Sequence, residues 1–428
     1  MRIAIDARYI ADHFPGIGRY VYNLLLGLAA LDQPHTLIVL HNPALPNTRH
    51  DIAALARLAP LELVATTARP FSAGEQVAIP RLLRRLRADL YHAPYYVRPY
   101  AGLPCPAVVT LYDAIPHLFP NEVSPRARLL FDLLTRLAIR SSRRVIAISQ
   151  SASDDLIAAY RVPRERIAVT PLAADPRFRP QPPAAIAAAR AKYGLPERYI
   201  LTLTSNKPHK NLVGLIEAFA QTTDHRPPTT DHRSKSEDRG SKIDNPRSSI
   251  FDPRSSILDL AHPLTRSPLH PFTPSPCHLV IAGHWDPRYP AARELSGRLG
   301  LDEAVRFLPG VAEADLPALL SGAEVFAFPS LYEGFGLPPL EALACGAPVL
   351  CGEGSSLPEV VGEAALCVDV RSVAALAAGL ARLLSDAAMR EQLRAAGPGR
   401  AALFSWRRTA EATLEVYQQA TTNDKMTR

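Results

Sequence analysis

The chain has 428 residues, 47% of them hydrophobic and 21% charged, with a formal net charge of +7. That length accommodates two domains of ordinary size, each with its own core, and the composition matches a soluble globular protein. With no run of 18 or more apolar residues, no leader before the first strand at Arg2, and five cysteines (Cys105, Cys277, Cys345, Cys351, Cys367) lacking any C-x-x-C spacing, the expectation is a reduced cytoplasmic protein without a membrane span, disulfide framework or zinc site.

The N-terminal half alternates strand and helix patterns. Met1 to Asp6 reads as a short apolar strand, followed by the loop Pro15-Gly16-Ile17-Gly18-Arg19-Tyr20 and a helix from about Tyr20 to Leu31. Buried strands are then expected at Leu37–Leu40, Leu61–Val64, Ala107–Thr110 and Val145–Ile148, with helical patterns between most of them. Such alternation predicts an α/β fold with a parallel, doubly wound sheet. Charge is uneven along the chain: residues 1–182 hold 22 arginines, no lysine and 14 acids, so this part is about +8 and the remainder about −1. Arginines interleave with leucines around Arg81 to Arg87 and again from Arg126 to Arg144. A basic amphipathic face of this kind suits an anionic membrane surface, at which a peripheral protein would rest. Nucleic acid is not an expected partner, because no nucleic-acid motif accompanies the charge.

The proline-rich stretch Pro171 to Pro183 reads as a linker, with its core at 176–183. A second alternation follows, with strands at Tyr199–Leu203, Leu279–Gly283, Val325–Phe328 and Val349–Leu350. It is interrupted over 222–276 by a Pro-, Ser-, Asp- and Arg-rich segment with a seven-residue repeat, seen in Asp224-His225-Arg226 and Asp231-His232-Arg233. Prolines and the lack of an apolar seam exclude a coiled coil, so this segment is expected to be a disordered insertion without chemistry. The expected plan is a domain over 1–175, a linker over 176–183, a second domain over 184–405, and a final helix and tail over 406–428.

Chemistry concentrates in the second domain. Outside the insertion and the tail, lysine occurs only at Lys192, Lys207 and Lys210, and two of these crowd into Ser205-Asn206-Lys207-Pro208-His209-Lys210-Asn211 after a strand and before a helix. Further on, Tyr332-Glu333-Gly334-Phe335-Gly336-Leu337-Pro338-Pro339-Leu340-Glu341 sets two carboxylates eight positions apart across a glycine turn. Pro338 and Pro339 suit a first helical turn, and Gly346 suits a helix stop. Strand, glycine turn and helix N-terminus direct backbone N–H groups and the helix dipole at one point, which favours an anion. Carboxylates on either side add acceptors for sugar hydroxyls, so the combination fits a sugar joined to a diphosphate.

This element resembles the E-x7-E motif of the retaining GT-B glycosyltransferases of the "group 1" type. The resemblance extends through Gly346-Ala347-Pro348-Val349 and Ser355 to Gly362, and through shorter upstream matches over nearly the whole chain apart from the insertion. It implies two Rossmann-like domains facing a cleft, the N-terminal one on the acceptor side and the C-terminal one holding the nucleotide sugar. The last helix, after Phe404-Ser405-Trp406-Arg407, would cross back to the N-terminal domain. Glu341 then resembles the glutamate that holds the nucleotide ribose, Glu333 the one near the transferred sugar, and Lys210 the phosphate-binding lysine, with Lys207 as a second cation. Gly334, Phe335, Gly336 and Leu337 would present backbone N–H groups, and Glu359 would lie on the nucleotide-side wall or pack behind it. In the N-terminal domain, Gly16, Gly18 and Arg19 would line the sugar or acceptor side, and His92 and His117 are further candidates for that side of the cleft.

Two positions depart from the family pattern. Tyr112 stands in Thr110-Leu111-Tyr112-Asp113 where the family's T-x-H-D element has histidine, while Asp113 keeps its match; Thr204 stands where a glycine is usual. A tyrosine donates a hydrogen bond but is no base at neutral pH. With no D-x-D sequence anywhere, no catalytic metal and no cofactor are expected. The implied reaction is transfer of a hexose, mannose favoured, from GDP-mannose or a UDP-hexose to a hydroxyl of a glycan or lipid-linked acceptor. A GT-B phosphorylase or epimerase, or a non-catalytic glycan- or nucleotide-binding scaffold, are the alternatives the sequence leaves open.

Overall fold

A computed structural model describes residues 1–222 and 277–422; apart from Thr222, which ends a helix, the expected insertion lies outside the described residues. The described chain forms two parallel sheets. The first contains β1 (Arg2–Asp6), β2 (Thr36–His41), β3 (Leu61–Ala65), β4 (Leu90–Ala93), β5 (Ala107–Leu111), β6 (Arg144–Ala147) and β7 (Ile167–Val169) in the order β3-β2-β1-β4-β5-β6-β7. The second contains β8 (Tyr199–Leu203), β9 (His278–Ala282), β10 (Val305–Leu308), β11 (Val325–Phe328), β12 (Val349–Gly352) and β13 (Ala365–Val368) in the order β10-β9-β8-β11-β12-β13.

The central strands are buried on both faces, as β1 and β2 show with Ile3, Ala4, Ile5, Leu37, Ile38, Val39 and Leu40 all inaccessible. Helices cover those faces. In each sheet the strand order reverses once, between β1 and β4 in the first and between β8 and β11 in the second. Ligands of open α/β sheets bind in the crevice at such a reversal, beyond the carboxyl ends of the strands. Loops from those ends in one sheet meet the corresponding loops of the other.

Four strands escape the sequence reading: β4, β7, β10 and β13. Each has only three or four residues. The first helix also starts earlier than its pattern suggests. It runs Pro15–Ala29, with Pro15 at its first position, so Gly16, Gly18 and Arg19 belong to its opening turns instead of a loop. Between Thr170 and Pro182 the chain forms neither strand nor helix, and Pro183 already opens the helix Pro183–Lys192. The closing helix Trp406–Thr422 packs on the first helix and on β4, β5 and β6, burying Trp406, Val416, Tyr417 and Ala420 within a core that includes residues of both sheets.

Candidate functional site at the domain junction

The E-x7-E segment forms the strand–turn–helix its sequence suggests. β11 ends at Phe328, and the helix Leu337–Ala344 follows, with Pro338 and Pro339 in its first turn and Gly346 beyond its end at φ 71°. Gly336 caps this helix at φ 98°, a left-handed conformation that disfavours any side chain, and a Cβ there would also lie 2.7 Å from Leu357 Cδ2. Phe335 is buried edge-on against Phe404, with ring centroids 5.8 Å apart, so its side chain belongs to the core. Gly334 is buried and Leu337 partly exposed.

The other loop of this reversal, after β8, carries Lys210. Its Nζ donates to Glu333 Oε1 at 2.6 Å, and both side chains are mostly shielded from solvent. One cation and one carboxylate thus meet where the strand order of the second sheet turns. Lys207 is exposed at the start of the same loop. Between them, His209 is gripped from the first domain: Glu122 accepts from its backbone N–H at 2.8 Å and lies 2.6 Å from its Nδ1. Burial and the neighbouring Lys210 lower the His209 pKa despite Glu122. Thr204, where the family pattern has glycine, is partly exposed, and its backbone lies close against Gly283.

Asp113 and Tyr112 reach this point from the end of β5. An added Cβ on Gly334 would lie 2.2 Å from the Tyr112 carbonyl oxygen and 3.3 Å from Asp113 Cβ, so the absence of a side chain at Gly334 allows the two domains to touch here. Asp113 Oδ1 accepts from the Ile115 N–H at 2.9 Å. Burial raises the Asp113 pKa, against the opposing pull of that hydrogen bond and of Lys210. The Tyr112 hydroxyl is shielded and has no hydrogen-bond partner among the described residues, and burial holds it protonated, well above the ordinary phenol pKa. Tyr112 is therefore a hydrogen-bond donor and not a base.

Glu341 lies one helical stretch away and is 3% exposed. Arg19 Nη1 donates to its Oε1 at 2.7 Å, and Arg19 also bridges to Glu313 at 3.1 Å. Burial raises the Glu341 pKa to about 7, although Arg19 and Arg177 pull it down. Glu313 receives Arg19, Arg49 at 2.8 Å and Arg177 at 2.8 Å, and these arginines overcome burial to depress its pKa to about 2.

Further polar contacts join the domains. Ser149 Oγ donates to the Gly334 carbonyl at 2.6 Å while accepting from the Ala152 N–H, and Tyr332 donates to Asp155 at 2.6 Å. Glu359 Oε1 accepts from the Gln150 N–H at 2.9 Å, so its carboxylate faces the N-terminus of the helix Gln150–Tyr160, where the helix dipole favours it. Glu359 thus makes a contact between the domains while its side chain stays exposed.

His92 does not face the cleft. It is fully buried in β4, with Nδ1 2.7 Å from the Tyr417 hydroxyl and Nε2 2.8 Å from Thr110 Oγ1, and burial depresses its pKa to about 3. The physical reason is the strand that the sequence reading missed: β4 is central, so a residue in it points into the core. Gly16 is exposed with open space around it, whereas Gly18 is buried, with an added Cβ only 3.1 Å from the Tyr9 carbonyl oxygen. Of the residues expected on the acceptor side, Arg19 alone makes a contact across the junction.

Sequence reasoning missed Glu122, Ser149, Glu313 and the arginine pair Arg49 and Arg177. Ser149 carries a helix N-cap signal before Gln150, which could have located the helix but not the contact with Gly334. Glu313 has no local signal; its partners lie 136 to 294 positions away in sequence.

The comparisons with known proteins agree with this geometry. The sequence model "Glycosyl transferases group 1" matches residues 268–400, and "Glycosyltransferase Family 4" matches residues 15–178. The chain is 27% identical over 432 residues to an O-antigen chain mannosyltransferase B of Escherichia coli, covering 98% of this chain and 100% of that protein. A 146-residue stretch is 40% identical to an MMP alpha-(1->4)-mannosyltransferase of Mycolicibacterium hassiacum, covering 33% of this chain and 35% of that one. Among solved structures, sucrose-phosphate synthase from Thermosynechococcus elongatus superposes with a TM-score of 0.69 at 19% identity, covering 98% of both chains. Anabaena HepE in complex with UDP and glucose superposes with a TM-score of 0.65 at 20% identity, covering 98% of this chain and all of that one. Two facing doubly wound sheets, the glycine turn with its Lys210–Glu333 pair, and matches to both halves of the chain lead to one conclusion: the protein belongs to the group 1 glycosyltransferases of the GT-B fold.

Proposed function

We propose that this glycosyltransferase transfers a hexose, mannose in the first instance, from a nucleotide-diphosphate sugar to a hydroxyl of a glycan or lipid-linked acceptor, with retention of anomeric configuration. The observation that carries the reading is the Lys210–Glu333 pair at the reversal of the second sheet, beside a helix N-terminus and opposite Asp113. Lys210 Nζ supplies compact positive charge for a departing diphosphate, together with the amides of the glycine turn. Glu333 and Asp113 accept hydrogen bonds from sugar hydroxyls, and Tyr112 donates one. Glu341, released from Arg19, accepts from the ribose. Departing phosphate and front-face attack by the acceptor require alignment more than a strong enzymic base, which fits a tyrosine at position 112. Lys210 and the helix terminus take the charge role a divalent ion fills elsewhere, so the reaction proceeds without metal. Mannose is favoured by the names of the two mannosyltransferase relatives, and a UDP-hexose is the second candidate, as in the HepE complex.

The test is a thermal-shift titration with GDP, UDP, ADP and their sugars, in EDTA and in added magnesium. One diphosphate that raises Tm equally in both, and fails to do so for Lys210→Ala, supports the site and names the nucleotide; binding at a hundredfold excess over Kd stabilises by about 2.7 kcal/mol. No shift with any of them sinks the reading. Proton NMR of the product anomer tests retention.

A second part of the proposal concerns location. The helix Pro125–Arg140 exposes Leu129 (71%), Leu130 (55%) and Leu133 (52%) beside Arg126, Arg128, Arg136 and Arg140. Exposed leucines flanked by arginine suit the interface of an anionic bilayer. Co-sedimentation with phosphatidylglycerol vesicles, reduced at least tenfold in Leu129→Glu/Leu133→Glu, checks it; equal binding by the variant refutes it.

A further inference from the structure

The reversal of the first sheet, between β1 and β4, carries a cluster of aromatic rings. Phe14, which follows β1, and Tyr95, which follows β4, stand on either side of it with ring centroids 6.4 Å apart. Phe71, from the loop between β3 and the helix Glu75–Arg85, completes the group: its ring is within 8° of parallel to Phe14 at 6.1 Å and lies 6.4 Å from Tyr95.

Phe71 is 55% exposed and has φ 65°. Both properties work against a phenylalanine, because its apolar ring gains by burial and its Cβ disfavours the left-handed region. The fold nonetheless holds it there. Glu75 Oε1 accepts from the Phe71 N–H at 3.1 Å, and Glu75 is itself 1% exposed, tied at 3.1 Å to Arg8, which is paired with Asp6 at 2.6 Å. A buried ionic cluster thus supports an exposed ring in a conformation that glycine would adopt more readily.

We propose that Phe14, Phe71 and Tyr95 form a stacking platform for a neutral sugar ring of the acceptor. This rests on the glycosyltransferase reading and specifies its acceptor as a saccharide held by its carbon face. Three observations favour that occupant. The platform lies at the ligand-binding position of one sheet, as the Lys210–Glu333 pair does in the other. The wall between them is continuous: Tyr95 lies 6.4 Å from Tyr112, whose carbonyl abuts Gly334 beside Glu333. Finally, aromatic faces carry partial negative charge that attracts the C–H faces of a sugar and repels phosphate or carboxylate, and the cluster beneath, one guanidinium (Arg8) between two carboxyl groups (Asp6 and Glu75), offers no net positive charge to hold an anion.

The experiment uses the full chain with saturation-transfer NMR on three probes, methyl α-D-mannopyranoside, α-mannobiose and octyl α-D-mannopyranoside, in the presence of whichever nucleoside diphosphate raises Tm. Saturation is expected on the sugar C–H protons, and Phe71→Gly is expected to reduce it at least tenfold while leaving the nucleotide shift within twofold. Because glycine suits φ 65°, this variant should keep or raise Tm, which separates loss of the platform from loss of the fold. Phe71→Tyr should restore the signal. Sugar saturation unchanged in Phe71→Gly, saturation confined to the octyl chain, or no sugar signal from the native protein when the nucleotide shift is present, each overturns the platform. Failure of every nucleotide to shift the native protein marks the failure of the donor reading and removes the basis of the platform with it.

Discussion

Arg19 of the first domain and Glu341 of the second form a nearly buried ion pair, Nη1 to Oε1, at 2.7 Å. Glu341 keeps a pKa of about 7 even so, because burial outweighs the arginine. A carboxyl whose folded pKa lies above its unfolded value of 4.5 favours folding most below pH 4.5, and that contribution fades as pH rises towards 7. Between pH 5 and 8 the native protein should therefore lose up to ~3 kcal/mol of stability that Glu341→Gln does not lose. Urea denaturation of both at several pH values measures the difference; parallel curves would show that Glu341 is ionised throughout.

Glu313 behaves in the opposite sense. Arg19, Arg177 and Arg49 overcome burial and depress its pKa to about 2, so its contribution is present above pH 4.5 and disappears as pH falls through about 2. Glu313→Gln leaves three arginines from the first domain and the linker without their shared carboxylate. A loss of ~1–2 kcal/mol is expected, smaller than for a sealed pair because Glu313 keeps 23% of its side chain exposed. Small-angle scattering should report a larger radius of gyration for the variant at low salt, and an unchanged radius would deny Glu313 a role in holding the domains together.

At Gly334 the junction leaves no room for a methyl group, since it would lie 2.2 Å from a backbone carbonyl of the other domain. Neither backbone yields cheaply, so Gly334→Ala must separate the domains locally and weaken the Ser149 hydrogen bond to the Gly334 carbonyl. Alignment of donor with acceptor across the cleft is sensitive to such shifts. Transfer is expected to fall about 100-fold or more while calorimetric affinity for the nucleoside diphosphate changes less than about fivefold. Equal loss of both would mean that the second domain itself is damaged.

Much of this architecture can be read from the chain because its causes are local. Val325–Phe328, the glycine turn and Pro338-Pro339 each carry a conformational preference that survives folding, so strand, turn and helix appear where their residues suggest. Central parallel strands long enough to show an apolar run are visible for the same reason. β4 and β13 are not, because Leu90-Tyr91-His92-Ala93 and Ala365-Leu366-Cys367-Val368 lack the β-branched or aromatic apolar run that marks strands of equal length such as Val325–Phe328. Contacts across the junction are invisible in principle: nothing near Arg19 announces Glu341, 322 positions away. A role inferred by position alone fails where an unnoticed strand intervenes, as at His92, and the contact of Glu359 with the helix N-terminus at Gln150, 209 positions away, has no local signal.

His92 gives the sharpest separation of a structural role from a functional one. Its two ring nitrogens join Tyr417 of the closing helix to Thr110 of β5, and Thr110 Oγ1 in turn lies 3.0 Å from the Tyr20 hydroxyl of the first helix. His92→Ala would open a cavity and leave the buried Tyr417 hydroxyl without its partner, while Thr110 keeps Tyr20, a combined loss of ~2–4 kcal/mol. Because burial depresses the folded pKa to about 3, below the unfolded value of 6.5, the unfolded chain takes up a proton first on acidification. Stability from His92 is thus present above pH 6.5 and lost as pH falls towards 3, a dependence the alanine variant should lack. Well below its Tm the variant should keep kcat/KM for the donor within about threefold, since the imidazole touches neither Lys210 nor Glu333. Urea melts and donor kinetics on the same preparation test both halves, and a 100-fold loss of kcat at unchanged stability would return His92 to the reacting centre.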